Sequence, residues 1–374
     1  MKRIAVFCDG TWNSPDARDR THVVALYNAV DQQAGVQIAH YFPGVGVARN
    51  TGGFFANAFN RIGGGAFGWG LDHNIKQAYA YICKTYEPGD EILIFGFSRG
   101  AYTARSLAGM IRKCGILQDY TGPALGDAFK LYKSSGADNH PDAPQVQAAR
   151  KKMSPRFATS KAEQAARNDN SALVRISYLG VWDTVGSLGI PAQLLGGIAQ
   201  LWNRKYQFHD TDLSSMVQSA RQALALDERR AFFAPSPWDN LDDSDAGPGL
   251  NRGDTGPERP FQQQWFIGDH GITGGTGASD CLSAITLDWI AQGAKRAGLT
   301  LRSDVVLLDA APDPCDDVPV LRDPSPIYGI ARDLLVWRAG PQKKADLSFT
   351  VQQRLDAVPG YRPESLKRLF PDLF

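Results

Sequence analysis

Cysteine is scarce in this chain: five residues in 374, an odd number, with no CxxC pair. A disulfide framework and a structural zinc site both need cysteines at matched spacings, so neither is expected. Four of the five sit among apolar residues and read as buried free thiols of a reducing compartment. An excess of charge of one sign is also missing. Lys and Arg number 40 against 39 Asp and Glu, a net charge of +1, which excludes the basic footprint of a nucleic-acid binder or of recruitment to an anionic membrane. No apolar run approaches the ~20 residues of a membrane-spanning helix. The apolar stretch Ile4–Cys8 stops at Asp9, too short for a signal-peptide core, so a cytoplasmic location is expected, with signal-independent secretion left open. HEXXH is absent, no His/Cys/Asp group has metal-ligand spacing, and no GK[ST] follows the glycines at 63–65. Metal, nucleotide and other cofactors are therefore not expected.

What the chain does have is alternation. Short apolar runs at Ile4–Cys8, Val36–Phe42, Ile92–Phe95, Val174–Val181 and Trp265–Ile267 read as strands. Helical patterns fall between them at Thr21–Asp31, Leu71–Tyr86, Ala101–Cys114, Ser215–Leu226 and Ser279–Ala297. The expected fold class is α/β, α/β-hydrolase-like, with a mainly parallel central sheet, helices on both faces and inserted cap segments. One domain over 1–374 is expected, with insertions at about 118–172, 188–214 and 236–262. Asn50–Gly70 is dense in glycine and aromatics, Ile190–Trp202 reads as an apolar cap helix, and the proline-rich tail from Ala310 reads as a wrap outside the core.

The most informative stretch is Ile92–Arg105, ILIFGFSRGAYTAR. A serine at a strand-to-helix turn, with Gly96 and Gly100 two residues to either side, has the form of a nucleophile elbow. Side chains at those flanks would collide with the strand and helix, and the Arg99 N–H would face a developing oxyanion. Ser98 as nucleophile needs a base, and the base needs an acid, in the order Ser, Asp, His. Asp183 ends an apolar strand 85 residues later, in VWDTVGSLG, and His270 follows WFIG among glycines. Asp269 is the competing acid, but neighbours in sequence rarely orient each other. His22 and His73 flank helix starts, His40 lies within a strand, and His140 and His209 lie in polar segments. Gly10 and Thr11, after the first strand, are the candidates for the second oxyanion donor, and Asp9 for a brace of that loop. FCDGTWN partly imitates the DxDGT of dehalogenase-type phosphatases, but Phe7 stands where that chemistry needs aspartate.

FCDGTWN, YFPGVGV, the run from Phe67 to Arg105, LGVWDTVGSLG, ALDERRAFF and WFIGDHGITGG, in that order, resemble a bacterial and fungal family of α/β-hydrolase-like proteins. That family includes the phospholipase effectors of type VI secretion. The resemblance spans roughly residues 1–290 and implies a triad of Ser98, Asp183 and His270. One departure is visible: family members carry Ser-Asp after the histidine, as in HSDVGG, and this chain has Gly271-Ile272. The reading is a serine esterase or lipase, phospholipase A-like chemistry included, acting on ester or lipid substrates that can be met at a membrane surface. The aromatic 50–70 segment and the apolar 190–202 stretch would supply a greasy lid. The rival is a catalytically silent binding or scaffold protein on the same fold.

Overall fold

The computed structural model describes residues 1–10, 20–44, 65–186, 212–245, 247–316 and 335–373. Its first strand, β1 (Arg3–Cys8), shows how the sheet is built. Successive side chains of a strand face opposite ways. Ile4, Val6 and Cys8 enter one core, and Ala5 and Phe7 enter the other. The chain then forms α1 (His22–Ala29), β2 (Gln37–Phe42), α2 (Gly65–Thr85), β3 (Glu91–Phe97) and α3 (Arg99–Cys114). Ile75, Tyr79 and Ile82 of α2 and Leu107 and Ile111 of α3 fill the first core, whereas Val23 and Leu26 of α1 fill the second. Both faces of the sheet are thus covered, as strands apolar on both sides require.

Helices α4 (Gly122–Lys133), α5 (Pro144–Met153) and α6 (Lys161–Arg167), with the small pair β4 (Phe157–Ala158) and β5 (Ala172–Leu173), follow and dock beside α3. Their anchor is Arg150, fully buried, which donates to Glu163 at 2.8 Å and to the carbonyls of Arg112 and Lys113 in α3. The sheet resumes with β6 (Arg175–Trp182), β7 (Ala220–Ala225) and β8 (Phe261–Phe266), then α7 (His270–Gly274), α8 (Asp280–Arg296) and, in the tail, α9 (Phe349–Ala357).

The large sheet has the order β2-β1-β3-β6-β7-β8, and every pairing in it is parallel. This is the expected α/β architecture. The chain steps from β1 out to β2, then returns past β1 to β3, so α1 and α2 lie on opposite faces. That reversal opens a crevice at the carboxyl ends of β1 and β3, where ligands of such sheets bind.

Three expectations are corrected. Residues 215–226 are not a helix: their Ala, Gln and Leu content favours one in isolation, but 220–225 form β7, buried on both faces between β6 and β8. Small alanines suit that slot, and the polar members find partners, Arg221 stacking on Trp289 and Gln222 donating to Gln263 at 2.7 Å. The tail is more than a wrap, because Val351, Leu355, Tyr361 and Leu366 are buried in the second core. Of the cysteines, Cys8, Cys83 and Cys114 are buried, Cys281 is partly exposed in the first turn of α8, and Cys315 is exposed. The Ile190–Trp202 stretch and residues 50–64 lie outside the described residues.

Candidate active site

Ser98 sits between β3 and α3 with φ 57° and ψ −123°, a backbone conformation that L-residues rarely adopt. The flanking glycines explain how the turn survives. A Cβ on Gly96 would come within 2.4 Å of the Gly100 carbonyl oxygen, and one on Gly100 within 2.1 Å of that of Cys8. The elbow is therefore pressed against the end of β1. Its amide is tied to the neighbouring strand, Ser98 N donating to Trp182 O at 3.0 Å.

The three side chains separated along the sequence meet here. His270 Nε2 lies 2.8 Å from Ser98 Oγ, and Nδ1 lies 2.6 Å from Asp183 Oδ2. Asp183 is fully buried and also has a positive φ, 39°. Burial would push its carboxyl up, but the Arg338 guanidinium beside it and the His270 bond hold it well below the ordinary carboxylate range. An ionised carboxylate only accepts hydrogen bonds, so Nδ1 carries the proton and Nε2 is free to accept from the Ser98 hydroxyl. Phe97 and Phe233 flank the imidazole at ring distances of 4.7 and 4.6 Å, which keeps water from most of its surface.

His270 is not in a loop as expected; it opens α7, whose N-cap is Asp269, accepting from Ile272 N at 2.9 Å. That duty takes Asp269 away from the acid role. The backbone of the histidine is pinned from the end of β7. Glu228 accepts from His270 N at 3.1 Å, and Asp227 accepts from Gly268 N at 2.7 Å. Burial would raise Glu228, but Arg230, bonded to it at 2.6 Å, keeps its carboxyl lowered. Burial of Asp227 outweighs the Gly268 amide, the Tyr361 hydroxyl and the Arg354 charge that oppose it, and its carboxyl is pushed up to about 7. Gly274 leaves room for Phe97, whose ring would lie 2.1 Å from a Cβ there.

Of the oxyanion candidates, Arg99 begins α3, where first-turn N–H groups lack intrahelical partners. The Gly10 N–H instead donates to Asp9 Oδ1 at 2.7 Å, which removes it from the expected donor role; Thr11 lies outside the described residues. Asp9 also accepts from Thr21 Oγ1 and from the Tyr41 hydroxyl, each at 2.7 Å, the geometry of a loop brace. Three contributors escaped the sequence reading. Asp227 and Glu228 stood in the quoted ALDERR motif without a role, and Arg338 carried no signal at all. Among the described residues no group of three or more His, Cys, Asp or Glu could hold a metal ion, and no helix is long and apolar enough to cross a membrane.

Comparison with known proteins places the chain further. Residues 2–293 match the model of the catalytic domain of Tle1-like phospholipase effectors of the type VI secretion system. An uncharacterised Saccharomyces cerevisiae protein, YEL023C, is 30% identical over 244 residues, covering 62% of this chain and 32% of its own length. Among solved structures, an uncharacterised Pseudomonas aeruginosa protein aligns at 16% identity and a TM-score of 0.40, covering 80% of this chain and 46% of that one. A Tle1 effector bound to the VgrG spike aligns at 17% and 0.33, covering 73% and 50%. The chain thus spans about a third of the yeast relative and about half of each solved chain.

Proposed function

Since the chain belongs to the Tle1-like phospholipase effector catalytic-domain family, we propose that it is a serine hydrolase cleaving carboxylic esters of lipids or phospholipids through an acyl-enzyme. The observation that carries this reading is the unbroken run of hydrogen bonds from Ser98 through His270 to Asp183, at 2.8 and 2.6 Å, behind a strained elbow. Ser98 Oγ attacks the ester carbonyl while His270 Nε2 takes its proton. The Arg99 N–H faces the oxygen on which negative charge develops. The imidazolium, held by Asp183, then protonates the departing alcohol. Water attacks the acyl-enzyme by the same route in reverse and releases the fatty acid.

The test pairs turnover with labelling. Ser98→Ala should lower kcat on short acyl esters and on phospholipid vesicles by on the order of 10⁴-fold or more. A fluorophosphonate should modify the wild type once, at Ser98. The Gly271-Ile272 pair, a departure from the Ser-Asp that the family resemblance implies, motivates the rival silent scaffold. Absence of labelling at every pH, in protein that retains its fold, would establish that rival instead.

A further inference from the structure

Asp183 has more partners than a triad requires. Oδ1 accepts from Ala225 N at 2.9 Å and from Arg338 Nη1 at 2.7 Å; Oδ2 accepts from His270 Nδ1 at 2.6 Å and from Arg338 Nη2 at 2.8 Å. The guanidinium meets the carboxylate fork to fork through Nη1 and Nη2, and the same two nitrogens also donate to the Ala225 and Phe233 carbonyls, at 2.7 and 2.5 Å. Arg338 is itself buried, 7% exposed. Such a bidentate pair fixes a carboxylate in both position and plane. It comes from 155 residues downstream, outside the stretch that matches the family. The segment that delivers it is fastened beside the strap of His270. Val336 N donates to Arg229 O at 2.7 Å, Leu335 bridges Arg230, and Arg229 lies over the Trp337 ring.

We propose that Arg338 is a positioning residue of the catalytic site, orienting Asp183 toward His270 and, by its charge, setting the acid limit of the activity. The inference rests on the triad reading above. A carboxylate shared between a guanidinium and an imidazole gives less of its field to the imidazolium. A fixed positive charge next to the pair also opposes any extra proton on it, and an aspartate–histidine pair this close takes up that proton as a unit. Among the described residues, other charged groups lie near the pair. Glu228 faces it from the end of β7 and is neutralised by Arg230; Asp269 caps α7, Asp227 is bound to Tyr361, and Arg99 opens α3 beside Ser98. Arg338 is in direct contact with the carboxylate.

Two variants separate charge from geometry. Arg338→Met removes both, and the acid limb of kcat/KM on a p-nitrophenyl ester should move up by about one pH unit. Arg338→Lys keeps the charge without the fork. Its limb should stay near the wild-type position while kcat falls roughly ten- to a hundredfold. The same titration is read without turnover from ¹⁵N-histidine NMR in a Ser98→Ala background, where the His270 signals should titrate at higher pH once Met replaces Arg338. That readout stands even if esterase activity is absent, so failure of the hydrolase reading and failure of this one are distinguishable. A uniform loss of activity with an unmoved limb and an unmoved His270 titration would reduce Arg338 to a structural ion pair and overturn the proposal. If the Met variant does not fold, the Lys variant decides: a shifted limb with unchanged kcat contradicts it.

Discussion

At Gly100 a single methyl group is enough to test the elbow. Its Cβ would lie 2.1 Å from the Cys8 carbonyl oxygen and 2.6 Å from that of Asp9, both backbone atoms that cannot swing aside. Gly100→Ala must therefore push α3 away from the end of β1, and overpacking of this kind costs about 1–3 kcal/mol. The expected result is a lower thermal midpoint together with reduced fluorophosphonate labelling, since Ser98 sits in the turn that this contact presses against β1. A variant that keeps both would show that the turn relaxes freely. The residues legible from sequence share a property: their chemistry demands a place at a strand end. Ser98, Asp183 and His270 could be read from that demand and their order. Arg338 could not, because a charge partner obeys no spacing rule and sits in WRAG, an unremarkable piece of tail. Gly10 was misassigned for a related reason. That its N–H turns back to Asp9 depends on the Thr21 and Tyr41 donors that orient that carboxylate, and these come from other elements.

Among the elements, the strap from Asp227 to His270 ties function to pH-dependent stability. The Asp227 carboxyl, fully buried, is pushed up to about 7 from an ordinary 3.8. Between those two values the folded protein keeps a proton that the unfolded chain has lost. This group's contribution is therefore full below the ordinary carboxylate range and is lost as pH rises toward 7. Asp227→Asn removes the titration while keeping an acceptor for Gly268 N, and the Tyr361 hydroxyl can turn to accept from the new amide. The variant should match the wild type near pH 4 and become progressively more stable than it up to pH 8, by at most a few kcal/mol. Thermal unfolding of both proteins across that range checks it; a constant difference would mean that Asp227 is not protonated in the fold. The same region shows where element prediction failed. Nothing local in SMVQSARQALAL says strand; its conformation comes from β6 and β8 on either side, and from Trp289 and Gln263 satisfying its polar side chains.

For the molecule as a whole, the family match ends at residue 293, but the fold and the site do not. Beyond it, Leu347 bridges Trp265 of the edge strand β8, and Ser348 N donates to Trp265 O at 2.9 Å, covering an edge that would otherwise be open to pairing. Val351, Leu355, Tyr361 and Leu366 are buried against the same layer. At roughly 1.5–3 kcal/mol for each large apolar side chain buried, their loss approaches the whole stability margin of a domain, about 5–15 kcal/mol. The site would suffer as well: Asp183 would lose Arg338, and a buried charge left without its partner costs about 3–5 kcal/mol more, while Asp227 would lose its hydrogen bond with Tyr361. A chain ending at residue 293 should accordingly fail to accumulate as soluble folded protein, and any soluble fraction should lack the near-ultraviolet dichroism of fixed aromatic packing and should not react with a fluorophosphonate. If that shortened chain folded and were labelled at Ser98 at the wild-type rate, the C-terminal segment would be an accessory to the site rather than part of it, and the role assigned to Arg338 would fall with it.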